Sequence, residues 1–244
     1  MPDKYTLQMP VAYGAVDREE TLTLRGIFAL LQEAAIAHAN ACGSGTNAVA
    51  ARGEAWVLKR MAAEVDRYPR YGEMLRVETW SSGIRGAKGY REFRVFAGAD
   101  ELIARGSSVW VYVSLRTRSV TRVPPEVASG FPSAPEDVYC PGLEDLELAP
   151  PDPGTAERLS LSLRYSDVDA MGHVNNTVYH DLLQAALARH GRPVRPRQIR
   201  IRYGKGIAGD TPEVEVRLGP RTDGVPSAFG FGLGDAVLAQ GDVA

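Results

Sequence analysis

The spacing of apolar and polar residues along the chain predicts two long helices. Apolar residues recur at helical intervals in LRGIFALLQEAAIAHANACG (24–43), and the final glycine suits the end of a helix. A second pattern of the same kind runs through NTVYHDLLQAALARHG (176–191). The two patterns contain the similar strings LLQEAAIAHA and LLQAALARH, which indicates that the second half of the chain repeats the first.

Stretches that alternate apolar and polar residues follow each predicted helix, and Gly, Pro and Asp residues separate them. Alternation of this kind is typical of strands that bury one face. Both halves therefore have one long helix followed by several strands. In the second half, one further strand-like stretch precedes the helix. The predicted strands lie at 54–67, 73–85, 89–98 and 101–117 in the first half, and at 157–166, 197–206, 213–220, 227–234 and 236–243 in the second.

A helix wrapped by a curved antiparallel sheet, present twice, is the α+β arrangement called a tandem or double hotdog. We predict an N-terminal hotdog at 1–127, a Pro-rich linker at 128–156 and a C-terminal hotdog at 157–244. We expect the two sheets to join edge to edge. Two such halves would imitate a two-fold dimer, so the protein is expected to be a monomeric pseudo-dimer or a homodimer.

Composition narrows the class of protein. Of the 244 residues, 44% are hydrophobic and 24% charged, which is typical of a soluble globular chain. No apolar run approaches the ~20 residues that cross a bilayer, and the start lacks the features of a secretory signal. Two cysteines predict neither a disulfide framework nor a Cys-based zinc site. We therefore expect a cytoplasmic protein, and its net charge of −2 argues against general nucleic-acid binding.

The stretch RYSDVDAMGHVNNTVY (164–179) leads into the second helix and contains many small polar residues. A simple helix cap needs only one such residue. Asp169 supplies a carboxylate near the helix start, and Gly172 allows close backbone approach to a ligand. The N–H groups of the first helical turn lack intrahelical partners and can hold an oxyanion, so the combination suits attack on a thioester carbonyl. In the alternative reading, Asn175 or Asn176 caps the helix while Asp169 stabilises its dipole.

The motif D-x-D-A-M-G-H-V-N-N-x-x-Y resembles the signature of hotdog acyl-CoA thioesterases, in which an Asp before the helix is nucleophile or general base. Over nearly its whole length the chain resembles the acyl-acyl-carrier-protein thioesterases of bacteria and plants. The matching stretches are LLQEAAIAHANACG, WVLKR, RYPRYGE, GYREFRV and SSVWVYVSLRTRSVTRVP. The resemblance implies hydrolysis of a fatty acyl chain from the phosphopantetheine of acyl carrier protein, with no metal or cofactor.

The resemblance also implies roles for single residues. Asp169 would activate water or attack the carbonyl, and His173 would position the substrate. The plant enzymes have an Asn between these two positions, where this chain has Met171, and an acidic or cysteine residue further on, where it has Gly206 and Ile207. Single-domain acyl-CoA thioesterases do not need that Asn. The residues expected to hold the oxyanion or position the substrate are Gly172, Val174, Asn175, which ties down the loop, and Asn176, which caps the helix.

Two further features are candidates for function. Glu33 on the first helix is a second candidate carboxylate, although a helical Glu is commonly solvated or paired. The stretch RHGRPVRPRQIRIRYGK contains seven Lys or Arg residues and no acidic residue. Such a face would attract an acidic carrier protein, or it would simply protect a solvated strand edge. The predicted carrier-protein contacts are Arg195, Arg197, Arg200 and Arg202.

Three other functions stay open at this point. The leaving thiol could be coenzyme A instead of the carrier protein. The departures at Met171 and Gly206 would also suit a catalytically weak acyl-binding protein on the same scaffold. A hotdog dehydratase is a further alternative, which the resemblance of the first half opposes.

Overall fold

A computed structural model describes residues 4–222 and 224–244 of the chain. Two long helices and eleven strands form most of this part. The helices are α1 (Leu24–Ala41), α2 (Thr46–Ala50), α3 (Pro125–Ala128) and α4 (Asn176–Arg189). The strands are β1 (Tyr5–Pro10), β2 (Glu54–Val65), β3 (Met74–Arg85), β4 (Lys88–Ala97), β5 (Glu101–Ser114), β6 (Ser119–Val120), β7 (Glu157–Ser162), β8 (Gln198–Tyr203), β9 (Glu213–Leu218), β10 (Ser227–Leu233) and β11 (Ala236–Val243).

All eleven described strands belong to one antiparallel sheet. Ten of them lie in the order β1-β3-β4-β5-β2-β8-β11-β10-β9-β7, and β6 pairs with β5 at the side. The first five positions follow the order β1, β3, β4, β5, β2, and the last five, read from the far edge, follow the equivalent order β7, β9, β10, β11, β8. Each half is therefore one strand, one long helix and four strands with the same connections, and the predicted double hotdog is confirmed.

The two halves join edge to edge through β2 and β8, as predicted. Met61 lies opposite Ile201, and the register continues to Glu64 opposite Gln198. β2 and β8 occupy equivalent positions in their halves and pair antiparallel, which is how equivalent elements meet across a two-fold axis. The chain thus builds within itself the interface that two single-domain hotdogs would make.

The long helices α1 and α4 pack against each other within the core. Leu24, Ile27 and Leu31 of α1 are each no more than 1% exposed, and burying such a side chain contributes about 1.5–3 kcal/mol. The ring of His180 on α4 is 1% exposed and stacks on the Phe28 ring at 3.4 Å between centroids. No helix in the described part of the chain is both long and apolar enough to cross a bilayer.

The Pro-rich segment between the halves packs on the outside of the sheet. Its described backbone between α3 and β7 contains no strand, yet Leu143 and Leu148 are buried. The N–H of Tyr139 donates to the Glu92 carboxylate at 3.1 Å, and the Gln240 side chain donates to the carbonyl of Leu148. The segment therefore covers the sheet. The domain limits given above stay a prediction.

Candidate active site

The loop before α4 is a tight hairpin that fixes Asp169 and His173 on either side of one turn. The N–H of Asp169 donates to the carbonyl of His173 at 2.8 Å, and the N–H of Gly172 donates to the carbonyl of Asp169 at 3.0 Å. Gly172 has φ +75°, a conformation that residues with a Cβ rarely adopt. The glycine predicted to matter for close approach is thus required by the turn that sets the spacing of the two polar side chains.

The Asp169 side chain is half-buried and only partly engaged. Its Oδ1 accepts a hydrogen bond from the N–H of Met171 at 2.9 Å, and Oδ2 accepts none from the residues that the structure describes. The ring of His173 is exposed, and its Nδ1 lies 3.1 Å from the carbonyl oxygen of Met171. A carbonyl oxygen can only accept, so Nδ1 carries a proton, and in the neutral ring Nε2 is an acceptor. The loop therefore presents one carboxylate oxygen and one basic imidazole nitrogen, and both residues line a cavity.

The cap of α4 is the first of the two adjacent asparagines, whereas the resemblance led us to expect the second. Asn175 is the N-cap of α4, and its side-chain oxygen accepts from the N–H of Thr177 at 2.9 Å. Asn176, predicted to be the cap, is the first residue of the helix. The exchange matters because the N–H of a first helical residue has no intrahelical partner and stays available to a ligand.

The predicted oxyanion donors also need correction. The N–H groups of Gly172, Val174 and Asn175 all donate to backbone carbonyls within the loop region, at 2.9–3.0 Å. The N–H groups of His173 and Asn176 donate to no acceptor among the described residues, and both residues line the cavity. The donors left for an oxyanion are therefore the amides of His173 and Asn176.

Asp167, the other aspartate of the motif, is a structural residue. Its side chain is 1% exposed and accepts hydrogen bonds from Arg164 Nε and Nη2 at 3.1 Å each, with Arg25 of α1 at 3.6 Å. Burial acts to raise the pKa of Asp167, but the hydrogen bonds and charges of Arg164 and Arg25 outweigh it, so the pKa is lowered. Asp167 ties the hairpin to α1 as an ionised carboxylate.

A cavity of about 600 Å³ begins at this hairpin and extends into the first half of the molecule. Its lining is mainly apolar and comes from α1, α2 and β2 as well as from the loop. Val57 and Met171 are 45% and 44% exposed, so they mark its open end. Other lining residues are Gln32, Ala35, Ile36, Ala39, Val49, Leu58, Trp110 and Phe131.

Neither of the other two positions considered for catalysis, Glu33 and Gly206, supplies a carboxylate to the cavity. Glu33 is exposed on α1 and does not line the cavity, whereas its neighbour Gln32 does. Gly206 lies against the His173 ring, and a Cβ at this position would be 3.0 Å from His173 Cδ2. The acidic or cysteine residue of the plant pattern therefore has no counterpart at 206, and the imidazole ring of His173 occupies the space there.

The first half contains a second hairpin of the same design, which the sequence patterns did not reveal. It precedes α1 as the other precedes α4, and the strings YGAVD and YSDVD place Asp17 where the second half has Asp169. The Asp17 carboxylate is fully engaged, because it accepts from two backbone N–H groups and binds Arg195 at 2.5 Å. It does not line the cavity. The shared YxxVD string was the signal that could have identified this hairpin.

Three of the four arginines predicted to contact a carrier protein are neutralised within the chain. Arg195, Arg197 and Arg200 form ion pairs with carboxylates at 2.5, 2.7 and 2.7 Å. The carboxylates come from segments far away in the sequence, so the basic stretch by itself gives no sign of these ion pairs. Arg202 is exposed and has no acidic partner among the described residues.

A smaller basic cluster, formed by Lys59, Arg202 and Lys205, replaces the predicted one. Arg202 lies opposite Arg60, the neighbour of Lys59, across the β2–β8 pair, and Lys59 Nζ donates to the carbonyl of Gly204, next to Lys205, at 3.4 Å. Burial lowers the pKa of Lys59, and repulsion by Arg202 and Arg60 lowers it further. Lys205 is exposed and lines the open end of the cavity. Of the three charges, that of Lys205 therefore lies at the cavity lining, beside the hairpin.

Comparisons with known proteins match both halves of the chain. Residues 2–131 match the family model described as the acyl-ACP thioesterase N-terminal domain, and residues 152–220 match the C-terminal domain of the same family. The palmitoyl-acyl carrier protein thioesterase of Gossypium hirsutum is 30% identical over 67% of the chain, and the oleoyl-acyl carrier protein thioesterase of Coriandrum sativum is 32% identical over 66%. The chain spans less than half the length of these relatives, 42% and 47%.

Solved structures share the fold over the whole chain. An acyl-ACP thioesterase from Bacteroides thetaiotaomicron has a TM-score of 0.82 at 22% identity, covering 99% of this chain and 97% of its own. The 12:0-ACP thioesterase from Umbellularia californica has a TM-score of 0.84 at 21% identity, covering 100% and 97%. Sequence identities as low as these show only that the fold is shared. Since the two family models together match most of the sequence, the chain belongs to the acyl-ACP thioesterase family.

Proposed function

We propose that the protein is a thioesterase that hydrolyses fatty acyl-acyl carrier protein to a free fatty acid and carrier protein, with Asp169 as its essential carboxylate. One observation carries the proposal: a carboxylate oxygen without a described partner lies at the entrance of a mainly apolar cavity of about 600 Å³. A fatty acyl chain fits such a cavity, because burial of its methylene groups is favourable.

The geometry supports a general-base reaction. Asp169 Oδ2 would take a proton from a water molecule while the water oxygen attacks the thioester carbonyl carbon. The carbonyl oxygen becomes an oxyanion, and the N–H groups of His173 and Asn176 would hold it. The C–S bond then breaks, and the leaving thiolate takes up the proton. The acceptor Nε2 of His173 would orient the water or the carrier's amide groups beside the carboxylate.

The carrier protein is the proposed partner because of the basic cluster. An acyl carrier protein is acidic and its phosphopantetheine bears a phosphate, so Lys59, Arg202 and Lys205 would attract it to the entrance. The phosphates of coenzyme A would meet the same charges. A second candidate, an acyl-CoA thioesterase, is favoured by the DAMGHVNN motif and by Gly206, which stands where the plant enzymes have an acidic or cysteine residue.

The test compares one acyl group on carrier protein and on coenzyme A. We expect kcat/KM to be higher on the carrier protein and to fall with salt, because screening weakens steering. The variant Arg202→Glu/Lys205→Glu should raise KM for the carrier substrate about tenfold and change hydrolysis of a small neutral thioester little. Arg197→Glu is the matched control, since Arg197 is exposed but already bound to Asp66.

Two outcomes would redirect the proposal. Equal losses on both substrates in the double variant would indicate a structural role for the cluster. Absence of turnover on every thioester, with tight binding of fatty acids, would favour the acyl-binding alternative. A cytoplasmic location and a monomeric or homodimeric state, both expected from the sequence, stay predictions.

A further inference from the structure

The two long helices meet at a pseudo-two-fold axis that relates the halves of the chain. Phe28 of α1 and His180 of α4 occupy the same position counted from the first residue of each helix. Their rings stack at 3.4 Å between centroids and 6° between planes. Equivalent residues that touch each other lie on a two-fold axis. A residue of α1 can therefore be compared with the residue at the same position of α4.

Gln184 of α4 closes the start of α1. Its Oε1 accepts a hydrogen bond from the N–H of Leu24, the first residue of α1, at 3.0 Å. Its Nε2 donates to the carbonyl of Val194, in the segment after α4, at 2.9 Å. Both ends of this side-chain amide are engaged. The start of α1 therefore has no free N–H at its first residue, and the neighbouring Asp17 carboxylate is also engaged.

Gln32 of α1 is the counterpart of Gln184 and lies at the start of α4. The strings LLQEA and LLQAA place the two glutamines at the same position of their helices. Gln32 and Asn176, the first residue of α4, line one cleft of about 20 Å³, which is space for about one water molecule. Yet neither the Gln32 side chain nor the N–H of Asn176 has a hydrogen-bond partner among the described residues. The bond that closes α1 is therefore missing at α4.

The segments that follow the two helices differ in the same way. After α4 the chain passes Gln184 and supplies the Val194 carbonyl to it, whereas after α1 it forms α2, which lines the cavity. Gln32 is half-buried and lines this cavity together with Asp169 and Asn176. A side-chain amide has two N–H donors and one acceptor oxygen. Those of Gln32 are available to a ligand beside the hairpin.

We propose that the side-chain amide of Gln32 donates a hydrogen bond to the thioester oxygen during hydrolysis and is thus a further catalytic residue. This role rests on the proposed thioesterase function. The substrate oxygen would take the place at the Asn176 N–H that Gln184 Oε1 takes at Leu24. Because that oxygen becomes negative, Gln32 would present its Nε2 donor to it and not its own oxygen. Donors from both halves of the chain would then hold the oxyanion.

The experiment compares Gln32→Met with Gln184→Met, the matched control in the other half. Values of kcat and KM are measured on the saturated acyl-carrier-protein thioester, octanoyl to octadecanoyl, that wild type hydrolyses fastest. Methionine keeps the length of glutamine but has no N–H donor. We expect Gln32→Met to lower kcat about a hundredfold with little change in KM or Tm, because the oxyanion forms only on the way to the transition state. Gln184→Met should keep kcat and lower Tm by a few degrees, because its bonds to Leu24 and Val194 are lost.

Failure of this role and failure of the thioesterase function give different results. A normal kcat in Gln32→Met, or equal losses of kcat in both variants, would overturn the role of Gln32 while turnover by wild type upholds the thioesterase. A raised KM with unchanged kcat would also overturn it, since Gln32 would then contact only the acyl chain. If Gln32→Met does not fold by circular dichroism, Gln32→Glu decides: its charge should repel the oxyanion and lower kcat at least as far, and a normal kcat excludes the contact. A wild type that hydrolyses no thioester would refute the proposed function, and the role of Gln32 with it.

Discussion

Replacing Asp167 by Asn should reduce stability and leave the chemical step nearly unchanged. The buried Asp167 carboxylate accepts two hydrogen bonds from the Arg164 guanidinium and one from its backbone N–H, with Arg25 at 3.6 Å. Asn keeps the size and one acceptor but loses the charge. Since a hydrogen bond to a charged group contributes about 1.5–3 kcal/mol, we expect a loss of about 2 kcal/mol. In a chain of this length that lowers Tm by about 4–8 °C.

The pH dependence gives this prediction a second readout. The pKa of Asp167 is below its ordinary value of 3.8, so its contribution to stability is present above about pH 4 and is lost as pH falls through the folded-state pKa. The difference in Tm between wild type and Asp167→Asn should therefore shrink below pH 4. Thermal unfolding between pH 3 and 7, with kcat measured at pH 7, provides the assay. A variant with unchanged Tm and a kcat reduced as much as that of Asp169→Asn would refute the structural role.

Two glycines give further predictions. Gly172→Ala places a Cβ at φ +75° and should cost about 1 kcal/mol in unfolding free energy, with a lower kcat because the turn holding Asp169 is distorted; denaturant titration and steady-state kinetics measure both. Gly206→Ala puts a Cβ 3.0 Å from the His173 ring and should lower kcat while Tm changes little, because His173 is exposed and can move; an unchanged kcat would show that the ring position is unimportant.

The regular elements of the fold were predictable because their pattern is local. The ends of α1 and α4 follow from helical spacing and from the glycines just beyond them, and the strands after each helix match the alternating stretches to within a few residues. The exceptions are the six-residue edge strand β1 and the two-residue strand β6, neither of which was predicted. Six residues or fewer of alternation carry little signal, and β1 has β3 as its single strand partner among the described residues.

The site was only partly predictable, because distant contacts decide the state of each charged or polar group. Asp169, Gly172 and His173 were identified from one short motif, and the structure brings them together. The state of Arg195 depends on Asp17, which is 178 residues away in the sequence. Arg91 of β4 is 8% exposed in the lining of the cavity. It carries no local signal of burial, since GYREFRV alternates as any strand does and Arg91 meets His38 of α1 only in the folded chain.

The most direct test of the central claim compares Asp169→Asn with Asp17→Asn, since the two residues occupy equivalent hairpins in the two halves. We predict that Asp169→Asn lowers kcat about a hundredfold or more with little change in Tm, as expected for the loss of a general base. Asp17→Asn should lower Tm through the loss of its bond to Arg195 and leave kcat unchanged. A large loss of kcat in Asp17→Asn, together with normal turnover in Asp169→Asn, would contradict the account.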